Sequence, residues 1–190
     1  VRYESKREAT KKLSEVSYRF GEVRHKDSDS IIIPRHSSES RDYIPIGFLD
    51  EKTIIADSAL AIYDAQLWLF GILTSKMHIA WVKTIGGRLK TDYRYSATLC
   101  YNTFPFPKIS EAKRAEIEQA AEDVLLARQY HTEKTLAEMY DPKKMPANLR
   151  QAHTLLDRLI ESCYRPEPFH SDEERLEHLF ALYEKMTKKK

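Results

Sequence analysis

The densest group of side chains that could bind a charged ligand lies between residues 76 and 94. Five cations stand there against one acid, Asp92: Lys76, Lys83, Arg88, Lys90 and Arg94. Lysine and arginine neutralise phosphates and release counterions from nucleic acid, and arginine can also pair with a guanine edge. Trp81, Tyr93 and Tyr95 are interleaved with these cations. The stretch therefore favours DNA or RNA binding, and the alternative is a solvated loop with its aromatic rings packed beneath it.

A second polar segment runs from His36 to Tyr43, directly after a predicted strand. Small hydroxyl side chains and arginine are common partners of a phosphate backbone. Ser37, Ser38 and Arg41 are therefore candidate phosphate contacts. An ordinary surface loop is the alternative interpretation of the same composition.

No recognised catalytic or metal-binding pattern accompanies these residues. The sequence contains no G-x-S-x-G, no H-E-x-x-H and no glycine-rich phosphate loop. Its two cysteines, Cys100 and Cys163, lie far apart and form no C-x-x-C. We expect reduced thiols, no catalytic residue and no bound metal or cofactor in this chain.

Composition limits the class of protein. Among 190 residues, 31 Lys and Arg balance 29 Asp and Glu, and 42% are hydrophobic, which excludes both a histone-like protein and wholesale disorder. No apolar run approaches the roughly 20 residues that span a bilayer, and the first residues, VRYESKREATKK, contain no apolar region of the kind found in signal peptides. We expect a cytosolic protein that does not enter membranes. Because the chain begins with Val1 amid charged residues, we also expect it to be a fragment of a longer protein.

The character of the chain changes at Phe104-Pro105-Phe106-Pro107, where neither proline can continue a helix. We predict an α+β fold, with a mixed sheet and helix domain over residues 1–107 and an all-α domain over residues 108–190. In the first part we predict three helices: one over residues 4–18, one that Asp64 caps and that runs to about residue 74, and one over residues 76–85 that Ser75 caps. We predict strands at residues 31–33, 43–48, 53–56, 60–63 and 95–103. In the second part we predict helices over 111–129 behind Ser110, around 136–139, over 149–163, and from a Ser171/Glu174 capping box to about 186.

Four ordered blocks carry a family resemblance: SSESRDYIPIGFLD, FGILTSKMHIAWVKTIGGRLKTDYRYSATLCYNTFPFP, LAEMYDPKKMPANLRQAHTLLD and YRPEPFHSDEERLEHLFALYE. They resemble the target recognition domain and the C-terminal helical domain of MmeI-like DNA adenine methyltransferases, which are type IIG or IIL restriction–modification enzymes. The resemblance covers about residues 31–186.

The resemblance implies that this chain supplies DNA specificity and performs no chemistry. A methyltransferase core upstream in the parent protein would bind S-adenosylmethionine and flip the target adenine. Asn102 in YNTFPFP lacks the adjacent prolines of that core's Asn-Pro-Pro-Tyr/Phe motif. The implied partners are double-stranded DNA and the upstream methyltransferase domain. The alternative function is a protein-interaction module that docks within a larger complex.

The resemblance also ranks the candidate residues. The block GRLKTDYRY supplies Arg88, Lys90, Tyr93 and Arg94, and we expect contacts to the DNA backbone from its three cations. Lys83 ends a predicted helix and could reach a base. The remaining candidates for DNA binding are Lys76, Ser37, Ser38 and Arg41.

Overall fold

The computed structural model describes residues 2–18 and 21–188. In the N-terminal part it contains β1 (Ser30–Pro34), β2 (His36–Ser37), β3 (Gly47–Leu49), β4 (Ala59–Tyr63), β5 (Gly87–Leu89) and β6 (Asp92–Arg94). These strands form two antiparallel sheets, ordered β3-β1-β4 and β2-β6-β5. Arg35 alone separates β1 from β2, so one continuous segment of chain contributes a strand to each sheet.

The helices are α1 (Glu8–Lys12), α2 (Leu67–Leu73), α3 (Lys76–Ile85), α4 (Glu111–Gln129), α5 (Leu136–Met139), α6 (Ala147–Ser162) and α7 (Asp172–Thr187). Small sheets with helices come first and a helical region follows, which confirms the predicted α+β class. The helices predicted over 76–85, 111–129 and 136–139 are confirmed, and those predicted over 149–163 and from Ser171 differ by one or two residues.

Three predicted elements are wrong. Residues 95–103 contain a π-helical turn, Ala97–Tyr101, instead of a strand, because local bonds such as Cys100 N–H to the Ser96 carbonyl replace a ladder. The predicted helix over 4–18 shrinks to α1, which has no buried residue and so lacks the packing that a short helix needs. Residues 53–56 form no strand.

The predicted helix caps have mixed outcomes. Ser110 accepts the amide hydrogen bond of Lys113 at 3.2 Å, as predicted. Asp64 is not a cap: it adopts a left-handed φ of 56°, and α2 begins after Gln66. Ser75 precedes α3, but its hydroxyl donates to the Ile72 carbonyl. Ser171 caps α7, whereas the Glu174 carboxylate accepts from Arg165 and from the His170 amide and does not close a box.

One hydrophobic core extends through both the N-terminal part and the helical part. Phe70 and Leu73 of α2 share it with Ile117 of α4 and Leu156 of α6. Gly71 permits this approach of helices, because a Cβ at that position would lie 2.9 Å from the Ile117 side chain. The two parts of the chain are therefore packed into one another and are not merely linked.

A buried carboxylate crosses the same contact. Asp157 of α6 accepts a hydrogen bond from the Tyr43 hydroxyl at 2.6 Å and from the Lys76 backbone amide at 2.7 Å. The Tyr43 ring stacks on His153, with centroids 4.1 Å apart. Burial raises the pKa of Asp157 to about 6, and the two donated hydrogen bonds oppose that rise. The carboxylate thus fixes the N-terminus of α3 against α6.

Arg128 of α4 makes a second polar link. Its guanidinium donates to the Ile46 carbonyl at 2.8 Å and to the Tyr140 hydroxyl, also at 2.8 Å. The Tyr140 hydroxyl is in turn 2.7 Å from Nε2 of His153. Burial and the nearby Arg128 charge lower the pKa of His153, so its ring is neutral beside the arginine.

We predict that Asp157→Ala lowers the free energy of unfolding by about 3 kcal/mol, because it leaves a buried tyrosine hydroxyl and a helix N-terminal amide without their acceptor. Asp157→Asn keeps an acceptor and should cost about 1 kcal/mol. Urea unfolding of both variants tests this. Equal losses for the two would contradict the hydrogen-bonding account.

His78 should give the unfolding free energy a specific pH dependence. It is fully buried, its Nε2 lies 2.9 Å from the Tyr95 hydroxyl, and burial lowers its pKa to about 3. The unfolded chain binds this proton below about pH 6.5 and the folded chain does not, so stability falls as pH falls from 6.5 toward 3.

We expect His78→Gln to remove this contribution, which approaches about 1.4 kcal/mol per pH unit below the unfolded pKa. The measurement is urea unfolding at several pH values between 7 and about 4. His36→Gln, at an exposed position, is the control and should keep the wild-type slope. An unchanged slope in His78→Gln would mean that the folded protein already carries the charge.

Candidate nucleic-acid interface

A tight hairpin displays the basic block GRLKTDYRY. Strands β5 and β6 pair Leu89 with Asp92, so Lys90 and Thr91 alone form the turn. Lys90 is exposed and adopts a left-handed φ of 56°, which a lysine rarely does. Leu89 beside it is 55% exposed. The turn therefore presents one cation and one apolar side chain to solvent.

Arg88 supports this turn from within the hairpin. Its guanidinium lies over the Tyr93 ring, 4.1 Å from the centroid, and donates to the Thr91 carbonyl at 2.9 Å. The Glu39 carboxylate lies 3.7 Å away. These contacts engage one of its five N–H donors and hold the guanidinium against the Tyr93 ring, so Arg88 is more constrained than the exposed Lys90.

A groove of about 440 Å³ opens beside the base of the hairpin. Arg94 of β6 and Arg35 of the β1–β2 link line it, and Arg35 donates to the Asp57 carbonyl. The π-helical turn completes the lining with Ser96, Thr98 and the half-exposed Leu99. Two guanidinium groups, two hydroxyls and an apolar side chain can bind a phosphate or the edge and face of a base.

The floor of the groove carries no charge. Tyr95 is 3% exposed, its hydroxyl meets His78, and burial raises its pKa. The depressed pKa of His78 keeps the imidazole neutral as well. The positive potential in the groove comes from the two arginines on its walls, and not from its base.

The structure separates the predicted site residues into two groups. Arg88, Lys90, Tyr93 and Arg94 share the hairpin, Ser37 pairs with Tyr93 in the adjacent β2, and Lys83 lies in the last turn of α3 just before the hairpin. Tyr93 and Ser37 are buried, and the Ser37 hydroxyl has no hydrogen-bond partner among the residues that the structure describes.

The second group contains Ser38, Arg41 and Lys76. Lys76 lies in the first turn of α3, about 10 Å along the helix axis from Lys83. Its ammonium nitrogen is 6.0 Å from the centre of the Tyr43 ring. Arg41 follows a turn in which its amide donates to the Ser38 carbonyl at 3.3 Å. The DNA-binding roles of both groups stay predictions.

Sequence reasoning missed Arg35, Ser96 and Thr98. Arg35 is an isolated cation between a proline and a histidine, so nothing in its local pattern indicates a site. Ser96 and Thr98 fall in the segment that was predicted as a strand, which would have placed them on a sheet face. Only the fold of the π-helical turn brings them to the groove.

Among residues 2–18 and 21–188, no three His, Cys, Asp or Glu side chains are grouped to hold a metal ion, and both cysteines are free thiols. No helix in that part of the chain is long and apolar enough to cross a membrane.

Comparison with known proteins gives consistent matches. Residues 1–108 match the family model "MmeI, target recognition domain", and residues 109–189 match "MmeI, C-terminal domain". DNA methyltransferase A of Bacillus subtilis (strain 168) is 47% identical over 188 residues, which are 99% of this chain and 21% of that protein. A solved structure of the type IIL restriction–modification enzyme MmeI in complex with DNA superimposes with a TM-score of 0.92 at 39% identity, covering 98% of this chain and 25% of that one. The chain thus spans about a fifth of the length of the curated relative that it matches.

The left-handed backbone of Lys90 gives a direct test of the hairpin. Glycine adopts that conformation without the steric cost of a Cβ, so Lys90→Gly should raise the free energy of unfolding by up to about 1 kcal/mol, or leave it unchanged. Thr91→Gly, at the next position of the same turn, has no positive φ to relieve and should destabilise. Urea unfolding measures both. A clear loss of stability in Lys90→Gly alone would contradict the hairpin geometry.

Proposed function

Because the chain belongs to the MmeI family through both its target recognition domain and its C-terminal domain, we propose that it is the DNA-recognition module of an adenine-specific DNA methyltransferase. The parent enzyme would belong to a restriction–modification system and act in the cytosol. The ligand of this chain would be double-stranded DNA.

The observation that carries the proposal is the hairpin with its neighbouring groove. An exposed Lys90 stands at the turn, and the Arg94 and Arg35 side chains line the groove beside the base of the same hairpin. A two-stranded β-ribbon fits the major groove of B-DNA, where base edges are distinct. Cations that flank it can neutralise phosphates and release counterions.

The methyl transfer would be performed by another part of the parent protein. The sequence has no glycine-rich cofactor loop and no Asn-Pro-Pro-Tyr/Phe motif. We propose that S-adenosylmethionine binds the upstream methyltransferase domain, and that residues 1–107 recognise DNA while residues 108–190 form the helical domain. The core that both parts share would hold the recognition surface in a fixed orientation toward that upstream domain.

A second candidate function, protein docking, rests on a different surface. A groove of about 360 Å³ lies between the Pro105–Lys108 segment and the C-terminal ends of α6 and α7. Phe106, Leu182 and Met186 give it an apolar lining. A chain that only docks would use this groove and would bind no DNA.

We predict that Lys90→Gly combined with Arg94→Ala weakens duplex binding on the order of tenfold or more at low salt. Each lost phosphate contact should also reduce the slope of log affinity against log salt by about 0.9. Fluorescence anisotropy of a labelled duplex over a salt series is the measurement. Loss of affinity for every duplex sequence alike identifies phosphate contacts, because phosphates carry no sequence information.

The control replaces Lys108 and Lys185, two exposed lysines at the docking groove, with glutamine. These changes should leave DNA affinity unchanged. If the hairpin variant bound duplex DNA with wild-type affinity, the hairpin would not be part of the DNA interface. An absence of any salt-dependent duplex binding by the wild-type protein would favour the docking function.

A further inference from the structure

The sheet of β2, β6 and β5 has an inner face and an outer face. Neighbouring residues of a strand point to opposite faces, so the rows of residues across the sheet alternate in the same way. In one row Ser37 pairs with Tyr93, and both are buried. In the next row His36 pairs with Arg94, and both are exposed. The row of His36 and Arg94 therefore lies on the outer face, toward solvent.

Both side chains of this outer row are free to bind a ligand. Within the described part of the chain, neither His36 nor Arg94 makes a side-chain hydrogen bond, an ion pair or a ring contact. Gly87 completes the row on the other side of Arg94 and adds no side chain. An imidazole and a guanidinium group both donate hydrogen bonds through nitrogen. Two such donors side by side on an exposed sheet face fit an anionic ligand.

The backbone beneath this row is fixed by hydrogen bonds. His36 pairs with Arg94 in the ladder, and at the next position the Tyr95 amide donates to the Arg35 carbonyl at 2.8 Å. Residues directly opposite each other in an antiparallel pair have Cβ atoms about 4.5–5.5 Å apart. Because Arg94 and Gly87 also line the groove at the base of the hairpin, His36 extends the donors of that groove to the neighbouring strand.

The height of the row on the hairpin indicates which part of a duplex it would meet. Arg94 lies four residues from Lys90 at the turn, which is about 13 Å along an extended strand. The major groove of B-DNA is about 8.5 Å deep. A hairpin that enters the groove by its turn therefore keeps the row of His36 and Arg94 at the rim of the groove, where the backbone phosphates lie.

The protein's own charges around this row nearly balance. Four cations and three acids belong to residues 35–39 and 88–94 or to residue 57, whose carbonyl accepts from the residue before His36. They are Arg35, Arg88, Lys90, Arg94, Glu39, Asp57 and Asp92. A phosphate bound at the row would add negative charge next to the imidazole. That added charge favours the protonated form of a histidine.

We propose that His36 binds a backbone phosphate of the duplex together with Arg94, and that the bound imidazole is protonated. The affinity for DNA then rises as pH falls from about 8 to about 6, because the protonated ring adds one cation to the interface. This inference rests on the proposed DNA-recognition function. It adds a residue of β2, outside the basic block of the hairpin, to the DNA interface.

The test compares the wild-type protein with His36→Gln, which keeps a polar side chain but cannot take up a proton. Fluorescence anisotropy of a labelled duplex is measured over a salt series at about pH 6 and at about pH 8. At the lower pH we expect the affinity of the variant to be about three- to tenfold below that of wild type. Its slope of log affinity against log salt should be smaller by about 0.9. At the higher pH the two proteins should differ less.

Two further variants separate protonation from other effects. His36→Arg carries a permanent charge, so it should match wild type at about pH 6 and bind more tightly than wild type at about pH 8. His170→Gln replaces another exposed histidine, just before α7, and should keep both the affinity and the pH dependence of wild type. Because both positions are exposed, the thermal unfolding midpoints of all three variants should agree with wild type.

The outcomes separate this inference from the function on which it rests. If His36→Gln bound like wild type at both pH values while the hairpin variant bound weakly, the role of His36 would be overturned and DNA recognition would stand. A loss that is equal at both pH values, or equal in His170→Gln, would also overturn it. A loss confined to particular duplex sequences, with an unchanged salt slope, would assign His36 to a base edge and overturn the phosphate contact. A wild-type protein that binds no duplex at low salt would overturn both the inference and the proposed function.

Discussion

The arrangement of every surface described above depends on one buried carboxylate. Asp157 reaches from α6 to the amide at the start of α3 and to the Tyr43 hydroxyl at the end of the 38–43 loop. Burying an acid is costly, as its pKa of about 6 indicates, and the cost is offset only when the geometry is maintained. Because hydrogen bonds are directional, this interaction favours one relative position of the recognition elements and the helical part. Apolar packing alone is less directional and would define that position less closely.

That fixed position has a consequence for binding. Helix α3 begins at Lys76, whose backbone amide donates to the Asp157 carboxylate, and ends at Ile85. At the following Gly86 a Cβ would lie 2.4 Å from the Val82 carbonyl, so the chain passes into the hairpin by a close turn. The hairpin and the groove arginines are therefore placed on a single scaffold. A ligand that contacts both of them at once requires little reorganisation of the protein, so little binding free energy is lost to ordering the protein surface. Such a fixed surface suits the proposed ligand, duplex DNA, because a stiff duplex does not adapt its shape to contacts that move separately.

Local patterns predicted the local structure well, and tertiary structure decided the rest. The amphipathic α4 and its Ser110 cap follow from spacing, because both depend on residues within one turn. The prediction of a strand over residues 95–103 is wrong because the Ser96 and Thr98 hydroxyls bond to each other and Cys100 is buried. The pattern of apolar and polar residues does not show either of these contacts. The basic block indicated Lys90 and Arg94 as candidates, whereas Arg35 is distant in sequence and reaches the same groove as Arg94 only because β2 pairs with β6. The sequence also does not show that the Arg88 guanidinium packs on the Tyr93 ring and donates to the Thr91 carbonyl.

The central claim is that the hairpin and the groove at its base form the DNA-binding surface. Amide hydrogen exchange read by mass spectrometry, with and without duplex, tests it most directly. We predict that residues 87–99 become protected together at the same duplex concentration, while residues 104–108 and the C-terminal end of α7 stay unchanged. Protection confined to the 104–108 segment and α7, or an absence of protection throughout at low salt, would contradict it.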